Sequence, residues 1–180
     1  YIYGLSSLTI KYDGVKVFDY EEVCIENKNM SFKDYLDIRS FAIIIETIFN
    51  NLTFEVFFRY IKSENISPYD FLFEIYKNMK NAPKKIIDIF SEFERETKEE
   101  LWDSDEEMIN YYQKDENYQK LVRGDSGGNL IYKYKSINLV KTMPEWIEFL
   151  AKLVEKLVIK KENSKLSLEQ IKLKKQEIQM

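Results

Sequence analysis

Histidine is absent from the 180 residues, and cysteine occurs once, at Cys24. Without an imidazole the chain cannot run the histidine-dependent forms of acid–base, triad or zinc chemistry. A single sulfur excludes an internal disulfide, a cysteine-ligated zinc site and an iron–sulfur cluster built from this chain alone. Glycine (5) and proline (3) are scarce, which argues against collagen-like repeats, disorder and small turn-rich β domains. The longest uninterrupted apolar run is Phe41-Ala42-Ile43-Ile44-Ile45, far below the ~18 residues of a membrane span. No basic-then-apolar leader opens the chain, so the expected location is cytoplasmic. The first residue is Tyr1 rather than Met, and the chain reads as a fragment of a longer polypeptide.

What is present points to long helices around a real core. Apolar residues make up 44% of the chain, with 13 Tyr and 12 Phe among them, enough for one good hydrophobic core or two small ones. The net charge is only −4 but unevenly spread. Segment 88–107 carries ten acidic against two basic residues, whereas 129–180 carries eleven Lys against six Glu. A nucleic-acid footprint needs clustered Arg and Lys with a positive total, so no nucleic-acid partner is expected.

Residues 1–30 have a strand period. Leu8, Ile10 and Tyr12 alternate with polar neighbours, Asp13-Gly14 follows, and Val15, Val17, Val23 and Ile25 resume the alternation. That pattern is a hairpin closed by a type I′ turn. Two strands alone are marginal in water, so the hairpin must pack on the helices or close an upstream domain. Cys24, within this alternation, reads as a buried small hydrophobe.

From Ser31 the period is helical. Ser31 and Asp34 form a capping-box signal, with Phe32, Leu36, Ile43 and Phe49 recurring up to about Asn50. Asn50-Asn51 marks a break, and Phe54, Phe57, Phe58 and Ile61 define a second helix. Ser67-Pro68 with Asp70 starts a third, ending near Asn81, and Pro83 opens a fourth through Ile86, Ile87, Phe90 and Phe93. Short helices are expected over 104–113 and 116–123, a loop over 124–128, and a strand or, more in keeping with the spacing, a helix over 130–140. Pro144 opens a helix striped by Trp146, Leu150, Leu153 and Leu157. After a polar stretch at 160–165, Leu168, Ile171 and Ile178 give a weak last helix or tail. The expected architecture is thus mainly α: a multi-helix bundle-like domain over 31–160, preceded by a β-hairpin at 1–30 and followed by 161–180. No internal repeat supports a solenoid.

Few motifs carry chemistry. Gly124-Asp125-Ser126-Gly127-Gly128 resembles the nucleophile loop of trypsin-like proteases, yet no imidazole exists to take the serine proton and Asn129 replaces the usual proline. A helix–helix loop is the plain reading, and a nest of backbone N–H groups for an anion or substrate is the functional one. Asp103, Asp105, Glu106 and Glu107 lack the glycine and twelfth-position glutamate of a calcium loop and suit the acidic first turn of a helix. Arg39 and Glu46 interrupt the apolar stripe of the first long helix; two turns apart, or ~10 Å, each needs another partner. Glu55 and Arg59 read as a surface pair. Tyr111, Tyr112, Tyr118, Tyr132 and Tyr134 gather around the glycine loop, as core edge or as the lining of a cleft. The candidate pocket-lining residues are therefore Arg39, Glu46, Tyr132, Asn129 and Gly127, with no catalytic or metal-ligating residue assigned.

Several strings together resemble a known family: Tyr12-Asp13-Gly14-Val15-Lys16-Val17-Phe18 with Glu21-Glu22-Val23; Asn29-Met30-Ser31-Phe32-Lys33-Asp34-Tyr35-Leu36 with Arg39; Glu100-Leu101-Trp102; and Asn117-Tyr118-Gln119-Lys120-Leu121 with Gly128-Asn129-Leu130-Ile131-Tyr132-Lys133-Tyr134. They are similar to the region that follows the catalytic barrel in radical SAM proteins with an N-terminal cobalamin-binding domain, over roughly 8–135. The resemblance implies a parent protein using a four-iron cluster, S-adenosylmethionine and often cobalamin. The C-x-x-x-C-x-x-C loop of that family has no match here, so none of its catalytic residues carries over, and this chain holds no cofactor of its own.

Two function classes follow. In the first, the chain is an accessory C-terminal helical domain that packs on the barrel of the upstream catalytic domain and lines its substrate cleft, without catalysis of its own. In the second, it is a helical interaction module for a protein partner or a second copy, without substrate contact. A stand-alone enzyme using carboxylates and tyrosines remains a third class, although no two carboxylates have a spacing that argues acid and base roles.

Overall fold

The computed structural model describes the backbone of residues 2–50 and 52–178 and the side chains of residues 4, 11–50 and 52–162. In chain order it comprises β1 (Ile2–Tyr12), β2 (Val15–Val23), α1 (Phe32–Ile44), α2 (Glu55–Ser63), α3 (Pro68–Asn78), α4 (Lys84–Glu99), α5 (Asp105–Gln113), α6 (Asp115–Arg123), α7 (Leu130–Lys141) and α8 (Met143–Ile178). The fold is mainly α with one antiparallel hairpin. Among the described residues no helix is long and apolar enough to cross a membrane.

Local chemistry sets the helix starts. Ser31 Oγ accepts from the Asp34 backbone N–H at 3.2 Å while the Asp34 carboxylate accepts from the Ser31 N–H at 2.8 Å, a reciprocal capping box. Ser67 caps α3, whose first residue is Pro68, and Asn129 caps α7. Segment 130–140 is helical, as the spacing of Ile131, Tyr134 and Ile137 favours. α1 ends in a π turn over Ile45–Phe49. The extra residue in that turn carries Ile48 into the core and swings Phe49 to its edge, half exposed against Phe58 at 5.2 Å, so Phe49 does not continue the buried stripe expected of it.

Burial follows the helical stripes. The main core joins α1, α2, α3, α4 and α8, with Phe71, Ile75, Ile86, Trp146 and Leu150 fully buried. A second, smaller core brings Ile43 of α1, Phe93 of α4, and Leu130 and Tyr134 of α7 together. α8 runs on through the polar 160–165 stretch without a break. There Lys161 Nζ donates to the carbonyls of Glu64 and Asn65, satisfying backbone acceptors at the end of α2. Expectations resting on the side chains of Leu8, Ile10, Leu168, Ile171 and Ile178 lie outside the described residues.

The hairpin turn is as the sequence predicts, with Asp13 at φ 47° and Gly14 at φ 81°. Near the turn its docked face is not the apolar one, although Val23 and Ile25 of the same alternation are half-buried and buried. Tyr12, Val15 and Val17 face outward, and Lys16, Phe18 and Tyr20 turn toward α5 and α6. Phe18 packs on Tyr112 and Tyr118 with ring centroids 6.3 Å apart in each case. The Tyr20 hydroxyl donates to Asp105 at 2.7 Å. Lys16 Nζ reaches Asp115 at 2.7 Å and lies 4.8 Å from the Tyr118 ring centroid, its side chain only 9% exposed. Two aromatic rings, that of Tyr20 with its hydroxyl satisfied, plus an amphipathic lysine stem, cover more apolar surface than two valines can, and they win the interior. Cys24 follows the last strand residue and is exposed, correcting its expected burial; Ile25 beside it takes the buried place.

Lys16 thus anchors the hairpin. A Lys16→Ser substitution is expected to accelerate amide exchange over 15–23 several-fold while leaving the exchange of α3 and α8 unchanged. Unaltered exchange in the hairpin would contradict this anchoring.

Candidate functional site

α4 presents Ile86, Phe90, Phe93, Thr97 and Glu100 at spacings of four and three residues, one face of a helix. The first three belong to the cores, and the last two emerge beyond them, where α4 ends with Glu100 as its C-cap. The glycine loop delivers the start of α7 to the same place, β2 closes the opposite side, and α1 supplies Tyr35 and Arg39. These elements enclose a cleft of about 340 Å³ lined by Arg39, Thr97, Glu100, Trp102, Tyr112 and Gly127, among others. A neighbouring hollow of about 300 Å³ shares Glu100, Trp102 and Tyr112 with it. Trp102 stands 5.1 Å from Tyr111 and 6.0 Å from Tyr112 between ring centroids, forming an aromatic wall.

Two side chains in this cleft each hold a buried polar atom without a hydrogen-bond partner among the described residues. Arg39 places its guanidinium 5.6 Å from the Phe93 ring centroid, yet its Nε is buried without a hydrogen bond and, among the described residues, it forms no ion pair. Thr97 is 2% exposed, and its hydroxyl is likewise unpartnered. Buried polar atoms in this state are uncommon, and each costs about 1–3 kcal/mol.

Glu100 is the third polar member. Burial is the main influence on its carboxyl, pushing the pKa up to about 7; Glu96 adds to the rise, while Arg39 and Lys133 oppose it. The carbonyls at the end of α4 disfavour a negative charge there as well. Burial also raises the phenols of Tyr35 and Tyr112. Ser126 Oγ is buried near the Tyr112 phenol, whose rise it opposes, and has no hydrogen-bond partner among the described residues.

The structure divides the five residues singled out in the sequence. Arg39, Asn129 and Gly127 line the cleft. Glu46 and Tyr132 border a separate hollow of about 230 Å³ with Ala42 and Ile45, and Asn129 alone of the five touches both. Glu46 accepts from Asn50 Nδ2 at 2.6 Å and Lys135 Nζ at 3.1 Å, bonds that hold its carboxyl below the usual range. Asn129 Oδ1 accepts from the Ile131 and Tyr132 backbone N–H groups at 3.1 and 3.3 Å, so its side chain is committed to the helix cap. Gly127 takes φ 70° in the loop and Gly124 φ 75° at the end of α6, conformations that favour glycine.

The remaining motifs are structural. Ser104 caps α5 by accepting from the Glu107 N–H at 3.1 Å, and Asp105, Glu106 and Glu107 fill its first turn. Glu55 and Arg59 form an exposed pair at 3.7 Å. Tyr118 and Tyr134 are buried in packing, whereas Tyr132 is exposed. Among the described residues no three His, Cys, Asp or Glu side chains are grouped to hold a metal ion.

Thr97, Glu100 and Trp102 were not selected from the sequence as site residues. For Thr97 and Glu100 a signal was there: continuing the α4 stripe beyond Phe93 places both on the inward face. Trp102 has no periodic signal, because it follows the helix end. No known family model, curated protein or solved structure matches this chain.

Proposed function

We propose that this chain is an accessory helical domain that contributes a binding wall to the substrate cleft of a larger enzyme and performs no bond chemistry itself. The observation that carries this reading is a pair of buried polar atoms without a hydrogen-bond partner among the described residues, Arg39 Nε and Thr97 Oγ1, on two side chains that line one cleft. Buried polar atoms usually find a partner, and two on side chains lining one cleft are groups that a polar ligand could satisfy. Around them stand aromatic rings and the carboxyls of Glu21 and Glu100, and among the described residues no nucleophile in the cleft is hydrogen-bonded to a base.

The strings quoted above supply the partner: the upstream catalytic domain of a radical SAM protein, with S-adenosylmethionine and, in many members, cobalamin bound there. A four-iron cluster does not fit this chain, since such clusters need several thiolates and Cys24 is alone and exposed. The outward hairpin face of Tyr12, Val15 and Val17 offers an apolar surface for that domain. The same face favours a second reading, an interaction module in which the cleft plays no part.

The reading frame upstream of Tyr1 tests the first proposal, which expects a C-x-x-x-C-x-x-C loop there; its absence removes the radical SAM partner. In the parent enzyme, Arg39→Gln is expected to raise KM for the substrate about tenfold or more. Turnover that is indifferent to Arg39 but lost on Val15→Asp would favour the interaction module.

A further inference from the structure

The charges in the cleft restrict what can enter it. Arg39 on α1 is without an ion pair among the described residues. Glu100 at the end of α4 lines the same cleft, beyond ion-pair distance yet close enough for each charge to feel the other, and Glu21 of β2 lines it too. A bare anion drawn to Arg39 meets the two carboxylates. A bare cation drawn to Glu100 meets the guanidinium. The backbone repeats this polarity: the first residues of α7, at the positive end of a helix, line the cleft beside Gly127 and Gly128, while Glu100 and Leu101 mark the negative end of α4. A molecule bearing both charges a few bonds apart satisfies both ends at once. Thr97, buried in the same lining, supplies a hydroxyl that can donate or accept. Tyr35, Trp102 and Tyr112 leave an apolar, aromatic surface for the rest of the molecule, and the adjoining hollow gives it room.

We infer that the cleft binds a small zwitterion of the free amino-acid type with an apolar side chain, its carboxylate on Arg39, its ammonium toward Glu100 and its side chain against Trp102. This deepens the reading of the cleft as a binding wall, but it does not depend on which catalytic domain lies upstream. The isolated 180-residue chain either binds such a molecule or does not, whatever the upstream reading frame contains, so the two proposals fail separately.

The test titrates the chain with L-leucine, L-phenylalanine and L-methionine at about pH 8, where Glu100 is charged, following the Trp102 indole N–H by NMR. Isopentylamine and 4-methylpentanoate, which are leucine without its carboxylate and without its ammonium, serve as single-charge probes. At least one amino acid is expected to give a saturable shift, with each single-charge probe about tenfold weaker or more. Thr97→Val separates recognition from folding. Removing an unpartnered buried hydroxyl raises the melting temperature of the free chain, while loss of its hydrogen bond to ligand weakens binding about fivefold. The inference is overturned if none of the three amino acids gives a saturable shift at millimolar concentration. It is equally overturned if either single-charge probe binds as well as leucine, or if Thr97→Val leaves binding unchanged.

Discussion

Trp146→Ala is expected to lower the unfolding free energy by about 4–5 kcal/mol, the largest single effect in this chain. Trp146 is fully buried on α8, 6.2 Å from Phe90 and 6.0 Å from Phe149 between ring centroids, so truncation opens a cavity inside the main core. Its indole N–H also donates to Asn138 Oδ1 at 3.1 Å. Asn138 in turn donates to the Tyr134 carbonyl at 2.8 Å, and Thr142 Oγ1 donates to the Asn138 carbonyl at 2.8 Å. This buried network spans the junction of α7 and α8, so the truncation loses packing and also strands the Asn138 amide oxygen. Trp146→Phe isolates the second contribution: it keeps most of the apolar volume and is expected to cost ~2 kcal/mol, chiefly through the unmet acceptor. Urea unfolding of the two variants separates the effects. Equal losses would mean that packing adds little beyond the network, whereas a Trp146→Phe variant as stable as the parent would mean that the network contributes little.

Glu100→Gln is expected to act in the opposite direction. The unfolded carboxyl titrates at about 4.3, whereas burial holds the folded one at about 7. Between these values the folded chain binds more protons than the unfolded one, so stability decreases as pH rises through that window and levels off above about 7. Arg39 and Lys133 reduce this penalty, and Glu96 increases it. Glutamine cannot ionise. At about pH 8 the variant should be more stable than the parent by ~2 kcal/mol, a figure discounted because the carboxyl is partly exposed, and the pH dependence between about 5 and 7 should flatten. Thermal melts across this range check it. A variant no more stable than the parent at high pH would mean that Glu100 is satisfied in the fold. Stabilisation on losing a charge is what a group held for ligand contact, at a cost to the fold, should show.

Much of the fold was legible because helix signals are local. The Ser31–Asp34 box, Ser67-Pro68 and the Trp146–Leu150–Leu153 stripe each lie within a few turns of chain, and each forms as the pattern requires. The Asp-Gly turn was readable for the same reason. The docked face of the hairpin was not. Alternation shows that two faces differ but not which one meets a helix, and here Lys16, Phe18 and Tyr20 find their partners about ninety residues away. The π turn after α1 leaves no mark in apolar spacing either, and it displaced Phe49.

The site was half legible for a related reason. A charge that interrupts an apolar stripe needs a partner, which singled out both Arg39 and Glu46. Only the tertiary structure shows that Lys135 and Asn50 satisfy Glu46 whereas nothing in the described protein satisfies Arg39 Nε. Thr97 escaped notice because a threonine on a helix is unremarkable until its hydroxyl proves to be buried and unpaired.

The central claim is that Arg39 and Glu100 line one cleft that takes a ligand, and the titration of the Glu100 side-chain carboxyl carbon by NMR, with and without saturating amino acid, tests it most directly. The free chain should show a midpoint about 7, and an ammonium bound beside the carboxylate should lower it by about one unit. A free-state midpoint at an ordinary glutamate value of about 4.3, unmoved by any amino acid, would contradict the account.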